Sequence, residues 1–112
     1  MSIEEKQTKA ARNQALFREV NEAIRSVNET GMPVGEPVAF LCECADTGCT
    51  ETIELTIAEY EAARRIPTRF PTAVGHEWPD VERVIERNDG YQVVEKFGEA
   101  GKVAVETAPR AR

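Results

Sequence analysis

All three cysteines of this 112-residue chain lie within eight positions, and this clustering constrains the fold more than any other feature of the sequence. Cys42, Cys44 and Cys49 follow a C-x-C-x4-C spacing in the string CECADTGC. Thiols gathered within one turn lie close enough to share a single ion. A structural Zn²⁺ takes four sulfur or nitrogen ligands in a tetrahedron. The spacing therefore predicts a metal site that cross-links the chain at this turn.

The only histidine of the chain, His76, is the remaining nitrogen ligand for such a site. It lies in a loop at residues 75–79, where flanking glycine and proline residues leave the backbone free to bring the ring to the thiols. The 26 residues between Cys49 and His76 fit one helix and one strand. Asp46 or a water is the alternative fourth ligand. The predicted ligands of a Cys3His zinc site are Cys42, Cys44, Cys49 and His76.

Two other interpretations of the thiols stay open. Cysteines are often small buried hydrophobic residues, which fits Cys42 in its alternating strand but not Cys44 and Cys49 in a polar turn. The second interpretation is thiol redox chemistry, because C-x-C is a compact dithiol and a third cysteine can act as its resolving thiol. The acidic surroundings disfavour redox chemistry, since negative charge raises the pKa of a thiol.

Acidic charge is concentrated around the cysteines. The chain has 14 Lys and Arg against 20 Asp and Glu, a net charge of −6, and residues 31–63 contain seven acidic residues and no basic residue. Nucleic-acid affinity depends on Lys and Arg that neutralise phosphates, so this region argues against a nucleic-acid partner. The acidic residues predicted to form a solvated face are Glu36, Glu43, Asp46, Glu51, Glu54, Glu59 and Glu61.

The length of the chain predicts one domain, with an N-terminal helix over 1–30 and a small α+β zinc-binding part over 31–112. No apolar run approaches the ~20 residues of a membrane span. The first residues, MSIEEKQTKAARNQ, are charged and lack the apolar stretch of a signal peptide. A cytoplasmic location is therefore expected, where reducing conditions disfavour structural disulfides.

The first predicted element is a helix over 3–28, which Gly31 and Pro33 end. Apolar residues recur at helical spacing on one face, which we expect to pack on the rest of the domain. These residues are Leu16, Phe17, Val20, Ala23, Ile24 and Val27. Ile3, Ala10, Phe17 and Ile24 share one heptad position, and Val20 and Val27 share the other seam position. This makes fewer than three clean heptads, so a homodimer through this helix is the alternative to packing within the domain.

The remaining elements predict a small antiparallel sheet. Strands at 38–43 and 50–55 form a hairpin with the thiols at its tip, and the turn lies at 45–48. Thr56 and Glu59 form a capping box at the start of a helix that Pro67 ends.

A short strand follows at 70–74. Residues 81–96 fit either a helix or a hairpin, and the turn string NDG favours the hairpin, with 84–87 paired to 91–96. Residues 98–107 form a short helix, and 108–112 a frayed tail. The predicted fold class is α+β, a long N-terminal helix packed on a small antiparallel sheet with a zinc-bound hairpin turn.

Three strings carry a resemblance to a known family: ARNQALFREVNEAI, FLCECADTGCTETIELTIAEYEAAR and RFPTAVGHEWPDVERVIERNDGYQVVEK. They resemble small uncharacterised bacterial proteins, mostly actinobacterial, that share the C-x-C-x4-C turn and a downstream Gly-His loop. The likeness covers nearly the whole chain and implies that the helix, turn, loop and C-terminal hairpin form one unit. The family has no assigned activity, so it implies no functional residues. CDGSH-type [2Fe–2S] proteins match only at C-x-C.

These features predict a small zinc-stabilised protein-interaction or regulatory module with an unidentified protein partner and no nucleic-acid or membrane partner. A redox or metal sensor that uses the same thiols is the alternative. A small metalloenzyme is the third class. The chain lacks the motifs G-x-x-x-x-G-K, H-E-x-x-H and G-x-S-x-G, which disfavours an enzyme.

Overall fold

Three helices and five strands make up the part of the chain that the computed structural model describes, which comprises residues 3–29, 31, 33–46 and 48–107. In chain order the elements are α1 (Ile3–Asn28), β1 (Val38–Leu41), β2 (Thr52–Leu55), α2 (Ile57–Arg64), β3 (Arg69–Thr72), β4 (Glu82–Asn88), β5 (Tyr91–Lys96) and α3 (Gly98–Thr107). The predicted α+β class is confirmed. The bounds of α1 and α3 are those predicted, and the tail at 108–112 lies outside the described residues.

The strands form two antiparallel sheets rather than one. The first is the predicted cysteine hairpin, in which β1 pairs with β2 and Leu41 lies opposite Thr52. The second has the order β3-β5-β4. Asn88 lies opposite Tyr91 across a tight turn in which Gly90 has a φ of 82°, a conformation that favours glycine. The hairpin interpretation of this segment is therefore confirmed over the helical one.

The capping box predicted for α2 is present. The Thr56 hydroxyl accepts a hydrogen bond from the Glu59 amide at 3.1 Å, and the Glu59 carboxylate accepts one from the Thr56 amide at 2.9 Å. Both bonds satisfy amides that lack a partner within the helix, and loss of such a cap costs about 1 kcal/mol. The capping box fixes where α2 starts, directly after β2, and so places Tyr60 over the cysteine hairpin.

The main hydrophobic core lies between the cysteine hairpin, α2 and β5. The rings of Phe40 and Tyr60 stack with their centroids 4.3 Å apart. Burial of one large apolar side chain contributes about 1.5–3 kcal/mol, so this cluster anchors the hairpin firmly. Its buried members are Val38, Phe40, Ile53, Leu55, Tyr60, Ala63, Tyr91 and Val93.

Most of the α1 face that was predicted to be buried is instead exposed, and the prediction is wrong for those residues, although Ile24 packs against the main core. Leu16, Val20 and Val27 are 60%, 47% and 78% exposed, and Ala23 is also exposed. The helix packs against α3 and β1 through its opposite face. Among the α1 side chains that the structure describes, the buried ones are polar, namely Gln14, Arg18 and Asn21.

The reason is a buried carboxylate beneath α1, which belongs to Glu43. This residue was predicted to lie on the solvated acidic face, and that prediction is also wrong, because Glu43 is completely buried. Its carboxylate accepts hydrogen bonds from Arg18 Nε at 3.0 Å, Asn21 Nδ2 at 2.8 Å and the Tyr60 hydroxyl at 2.6 Å. A buried charge is tolerated when it is paired and hydrogen-bonded. Apolar side chains offer no such donors, so Arg18 and Asn21 face inward while Leu16, Val20 and Val27 stay exposed.

A second buried ion pair lies beside α1. Lys96 Nζ is 3.0 Å from Glu82 Oε2, and both side chains are fully buried. Burial lowers the pKa of Lys96. Gln14 Nε2 donates both to Glu82 Oε2 at 3.2 Å and to the Glu43 carbonyl at 2.8 Å. The polar face of α1 therefore connects the cysteine hairpin to the second sheet.

The raised pKa values of the tyrosine hydroxyls predict how the stability of the native state changes at alkaline pH. Burial, followed by the nearby Glu43 carboxylate, raises the pKa of Tyr60, and burial raises the pKa of Tyr91 to about 12. Unfolded tyrosines ionise near pH ~10. The unfolded state therefore releases protons that the native state keeps, so native stability is complete below pH ~10 and falls as pH rises above it.

Absorbance at 295 nm, recorded with circular dichroism during an alkaline titration, checks this. We expect no tyrosinate signal near pH ~10, and a rise that coincides with unfolding. The Tyr60→Phe variant serves as the control, since it removes one of the two tyrosinates. Ionisation of both tyrosines near pH ~10 with an unchanged dichroism spectrum would contradict the prediction.

Other predictions about α1 are not decided by the fold. The side chains of Ile3 and Ala10, which belong to the predicted heptad seam, lie outside the described residues, and Phe17 and Ile24 are half-buried. The division of the chain at residues 30 and 31 stays a prediction. Among the described residues, no helix has both the length and the hydrophobicity needed to cross a membrane.

Candidate metal centre

The four residues predicted as ligands come together at the tip of the cysteine hairpin. One ligand atom from each of them lies within 4.8 Å of all the others. His76 Nδ1 is 3.6 Å from Cys42 Sγ and 3.7 Å from Cys49 Sγ. A tetrahedral Zn²⁺ with bonds of about 2.3 Å to sulfur and about 2.0–2.1 Å to nitrogen separates sulfur from nitrogen by roughly 3.6 Å. The observed distances match that spacing, so the four side chains can hold one ion.

Local hydrogen bonds position the thiols. The Cys42 amide donates to the Glu51 carbonyl at 3.0 Å and closes the hairpin below the turn. In the turn itself, the Cys49 amide donates to the Asp46 carbonyl at 3.0 Å, and the Gly48 amide donates to the Asp46 carboxylate at 2.9 Å. The Asp46 carboxylate thus stabilises the turn that returns Cys49 to the other thiols. This use of Asp46 differs from its predicted alternative role as a ligand.

Two of the thiols are deeply buried. Cys42 and Cys44 are each 1% exposed, whereas Cys49 is half-buried. The sequence placed Cys44 in a polar turn, and its burial corrects that expectation. The backbone amide of Ala73 donates to Cys42 Sγ at 3.1 Å. A hydrogen bond to the charged form of a group favours that form, so this amide helps to hold a thiolate in a buried setting.

His76 presents one ring nitrogen to the sulfurs and the other to a carboxylate. The Gly75 φ of 89° and a hydrogen bond from the His76 amide to the Ala73 carbonyl at 3.2 Å turn the ring toward the hairpin. His76 Nε2 is 2.6 Å from Glu51 Oε2. Histidines that ligate metals commonly donate their second nitrogen to a carboxylate, which fixes the tautomer and raises ligand basicity. The geometry therefore directs Nδ1 toward the sulfurs and Nε2 toward Glu51.

Glu51 is the site residue that sequence reasoning missed. The sequence analysis placed Glu43 and Glu51 together on the solvated acidic face, and no spacing distinguished them from each other or from Glu77. In the structure the carboxylates have different surroundings. Glu43 is buried beneath α1, Glu77 accepts a hydrogen bond from Gln92 Nε2 at 2.9 Å, and only Glu51 of the three contacts His76. The one available signal was that Glu51 follows Cys49 by two residues on the same arm of the hairpin.

The sulfurs and the imidazole perturb one another electrostatically. A hydrogen bond from the Cys42 thiol lowers the pKa of Cys44 to about 5, and the same contact raises the pKa of Cys42. Burial raises the pKa of Cys49, and hydrogen bonding to Cys44 raises the pKa of His76. One sulfur thus ionises easily, while hydrogen bonding to it keeps the Cys42 thiol protonated and burial opposes ionisation of Cys49. A divalent cation at the centre would stabilise all three thiolates, so the four residues form a possible metal site.

The comparisons with known proteins found no relative for this chain. No protein-family model matches it. Neither the curated proteins nor the solved structures contain a significant match. Membership of the actinobacterial family therefore stays a prediction, and the interpretation of the site depends on its geometry and chemistry.

Proposed function

We propose that this protein is a small zinc-stabilised module for protein interaction or regulation. The observation that carries the proposal is the convergence of three sulfurs and one imidazole nitrogen within 4.8 Å. Thiolate and imidazole ligands select zinc over magnesium or calcium, and a complete set of four protein ligands is typical of structural sites. A structural ion suits a chain of 112 residues, whose core is modest.

The spacing of the ligand atoms supports zinc over an iron–sulfur cluster. In a [2Fe–2S] cluster the protein ligands are divided between two irons, so ligands on different irons lie farther apart than ligands on one ion. Here the imidazole nitrogen lies 3.6 and 3.7 Å from two sulfurs, as ligands of a single ion do. Zinc with three thiolates and a neutral imidazole carries a net charge of −1. The location we propose is the cytoplasm, where thiols stay reduced and able to bind metal.

Elemental analysis of the protein purified without added metal tests the proposal. We expect about one zinc per chain, no iron, and a colourless protein. Preparation of the metal-free protein with a chelator, followed by titration with zinc, should recover one equivalent. A purified chain that contains no zinc and does not bind added zinc would contradict the proposal, and a visible absorption spectrum with stoichiometric iron would replace it with a cluster.

A redox or metal sensor is the second candidate, and the exposure of the site favours it. Cys49 and His76 are only half-buried, so solutes can reach one side of the centre. Zinc release by low concentrations of peroxide, followed with a chromophoric chelator, distinguishes a sensor from a permanently structural site. Release that is reversed by thiols supports the sensor, and resistance to peroxide supports the structural role.

The carboxylate behind His76 gives a specific prediction about zinc affinity. Glu51→Gln is expected to weaken zinc binding by about 10–100-fold, because the ring loses the carboxylate that orients it and increases its basicity. Glu54→Gln is the matched control, since Glu54 is exposed on β2. Competition with a chromophoric chelator measures both affinities. Equal affinities for the two variants would show that Glu51 does not support the ligand.

We propose that a second copy of this chain is the partner of the exposed face of α1. Leu16, Val20, Ala23 and Val27 are spaced by four, three and four residues, which is the spacing of a helix–helix seam. All four are exposed in the monomer. A second copy offers the same seam, so two α1 helices can bury it reciprocally.

Sedimentation of the wild-type chain and of Val20→Glu checks this proposal. The wild type is expected to dimerise with increasing concentration, and the variant to stay monomeric because the seam then buries an unpaired charge. Glu19→Gln, an exposed position on the flank of α1, is the control. A wild-type chain that is monomeric at every concentration would contradict the self-association.

A further inference from the structure

Side chains of α1 hold the backbone that leads into the metal ligands. Asn21 Nδ2 donates to the Leu41 carbonyl at 2.9 Å, and the Leu41 amide donates back to Asn21 Oδ1 at 2.7 Å. Gln14 Nε2 donates to the Glu43 carbonyl at 2.8 Å. These bonds occupy backbone groups of Leu41, the last residue of β1, and of Glu43, two residues beyond it. The helix thus continues the hydrogen bonding of the hairpin up to the first ligands.

In the stretch Cys42-Glu43-Cys44, the cysteine side chains lie in the candidate metal centre and the Glu43 side chain lies against α1. Cys42 and Cys44 contribute their sulfurs to the candidate metal centre, and the carboxylate of Glu43, between them, is bound by α1. Side chains two apart in an extended backbone share one face, and the side chain between them points to the other. A movement that takes the sulfurs out of the metal centre therefore also moves the Glu43 carboxylate relative to α1.

Arg18 joins α1 to the ligand-bearing stretch and to neighbouring residues through several contacts at once, so a gradual separation of the two is unfavourable. Its Nε is 3.0 Å from Glu43 Oε1, and both side chains are buried. Its other nitrogens donate to the carbonyls of Pro67, at 3.4 Å, and Arg69. The guanidinium also lies 3.9 Å from the centroid of the Phe70 ring. Withdrawal of α1 would break the Arg18–Glu43 ion pair together with these other Arg18 contacts, so α1 and the ligand-bearing stretch are held by one shared network.

We infer that the occupancy of the metal centre controls the docking of α1, with Arg18 and Asn21 as positioning residues for the ligand-bearing stretch. The inference rests on the proposed zinc site and names its regulation. Zinc holds Cys42 and Cys44 in place, which keeps Glu43 beneath α1. Docked α1 in turn holds the two cysteines in ligating geometry. Coupling between two binding equilibria is reciprocal, so zinc strengthens the docking of α1 and docked α1 strengthens the binding of zinc.

Amide hydrogen exchange of the full wild-type chain, with zinc and after treatment with a chelator, tests the first half of the coupling. We expect the amides of residues 14–25 to exchange at least about 10-fold faster without zinc. The β4–β5 hairpin, whose pairing does not involve the metal ligands, is the internal reference. Equal protection of α1 with and without zinc would overturn the inference.

Zinc affinity of Asn21→Ala tests the reciprocal half. The variant is expected to bind zinc at least about 10-fold more weakly than the wild type, and its α1 amides to respond less to zinc. Glu19→Gln, at an exposed position of the same helix, is expected to match the wild type. Wild-type affinity in Asn21→Ala would overturn the positioning role. If Asn21→Ala fails to fold, the exchange measurement on the wild type still decides.

The outcomes separate the coupling from the zinc proposal. If the wild-type chain binds no zinc, the proposed function itself is wrong. If the wild-type chain binds one zinc but the α1 amides exchange equally fast with and without it, the zinc site stands and only the proposed coupling is wrong.

Discussion

Replacement of Cys44 by serine is expected to abolish stoichiometric zinc binding and to lower the melting temperature of the zinc-supplemented protein on the order of 10 °C. The Cys44 sulfur is buried among the other ligand atoms, and a serine hydroxyl is a poor ligand because it does not ionise at neutral pH. Structural zinc contributes about 10–16 kcal/mol of apparent binding free energy in zinc-finger peptides. Loss of a few kcal/mol of that free energy accounts for the expected shift.

The melting temperature of each variant, with zinc and with a chelator, isolates the contribution of the metal. Cys49→Ser is expected to behave like Cys44→Ser, and His76→Ala to retain part of its zinc, because a water can replace an imidazole at a half-exposed position. A buried cysteine also packs, so Cys44→Ser is compared with the wild type in chelator, where only packing differs. Full zinc retention in both cysteine variants would contradict the assignment of the ligands.

Replacement of Arg18 by methionine is expected to destabilise the protein by about 3–5 kcal/mol, because it leaves the Glu43 carboxylate buried without its cationic partner. Methionine preserves much of the packing over Phe70, so the effect reports mainly on the charge. The Glu43 side chain is completely buried and its carboxylate is 3.0 Å from Arg18 Nε. Bulk water therefore does not solvate the carboxylate in place of Arg18. Urea unfolding monitored by circular dichroism measures the free energy of unfolding.

The double variant Arg18→Met/Glu43→Gln completes the test as a thermodynamic cycle. A neutral amide at position 43 still accepts hydrogen bonds from Asn21 and Tyr60 but carries no charge to be neutralised. We expect the double variant to be more stable than Arg18→Met alone, since the unpaired buried charge is gone. A double variant as unstable as the sum of the two single variants would show that the two residues do not interact energetically.

The elements that could be predicted from sequence have local causes. The capping box of Thr56 and Glu59 and the Asn-Asp-Gly turn are set by residues within four positions of one another. The same holds for the cysteine cluster, in which the chemistry of three thiols in eight positions needs little tertiary information to indicate a metal. His76 was predicted as the fourth ligand by elimination, because it is the only histidine of the sequence. The tertiary fold places its ring beside the sulfurs.

The sequence by itself thus determined where the helices and hairpins form and which side chains were candidate metal ligands. Only the tertiary structure decided which face of α1 is buried, where Glu43 lies and that Glu51 supports His76. Periodicity shows that a helix has an apolar face, but the surface it meets determines which face packs inward. Here that surface presents a carboxylate and unpaired backbone groups, and Gln14, Arg18 and Asn21 satisfy them, which Leu16, Val20 and Val27 cannot do.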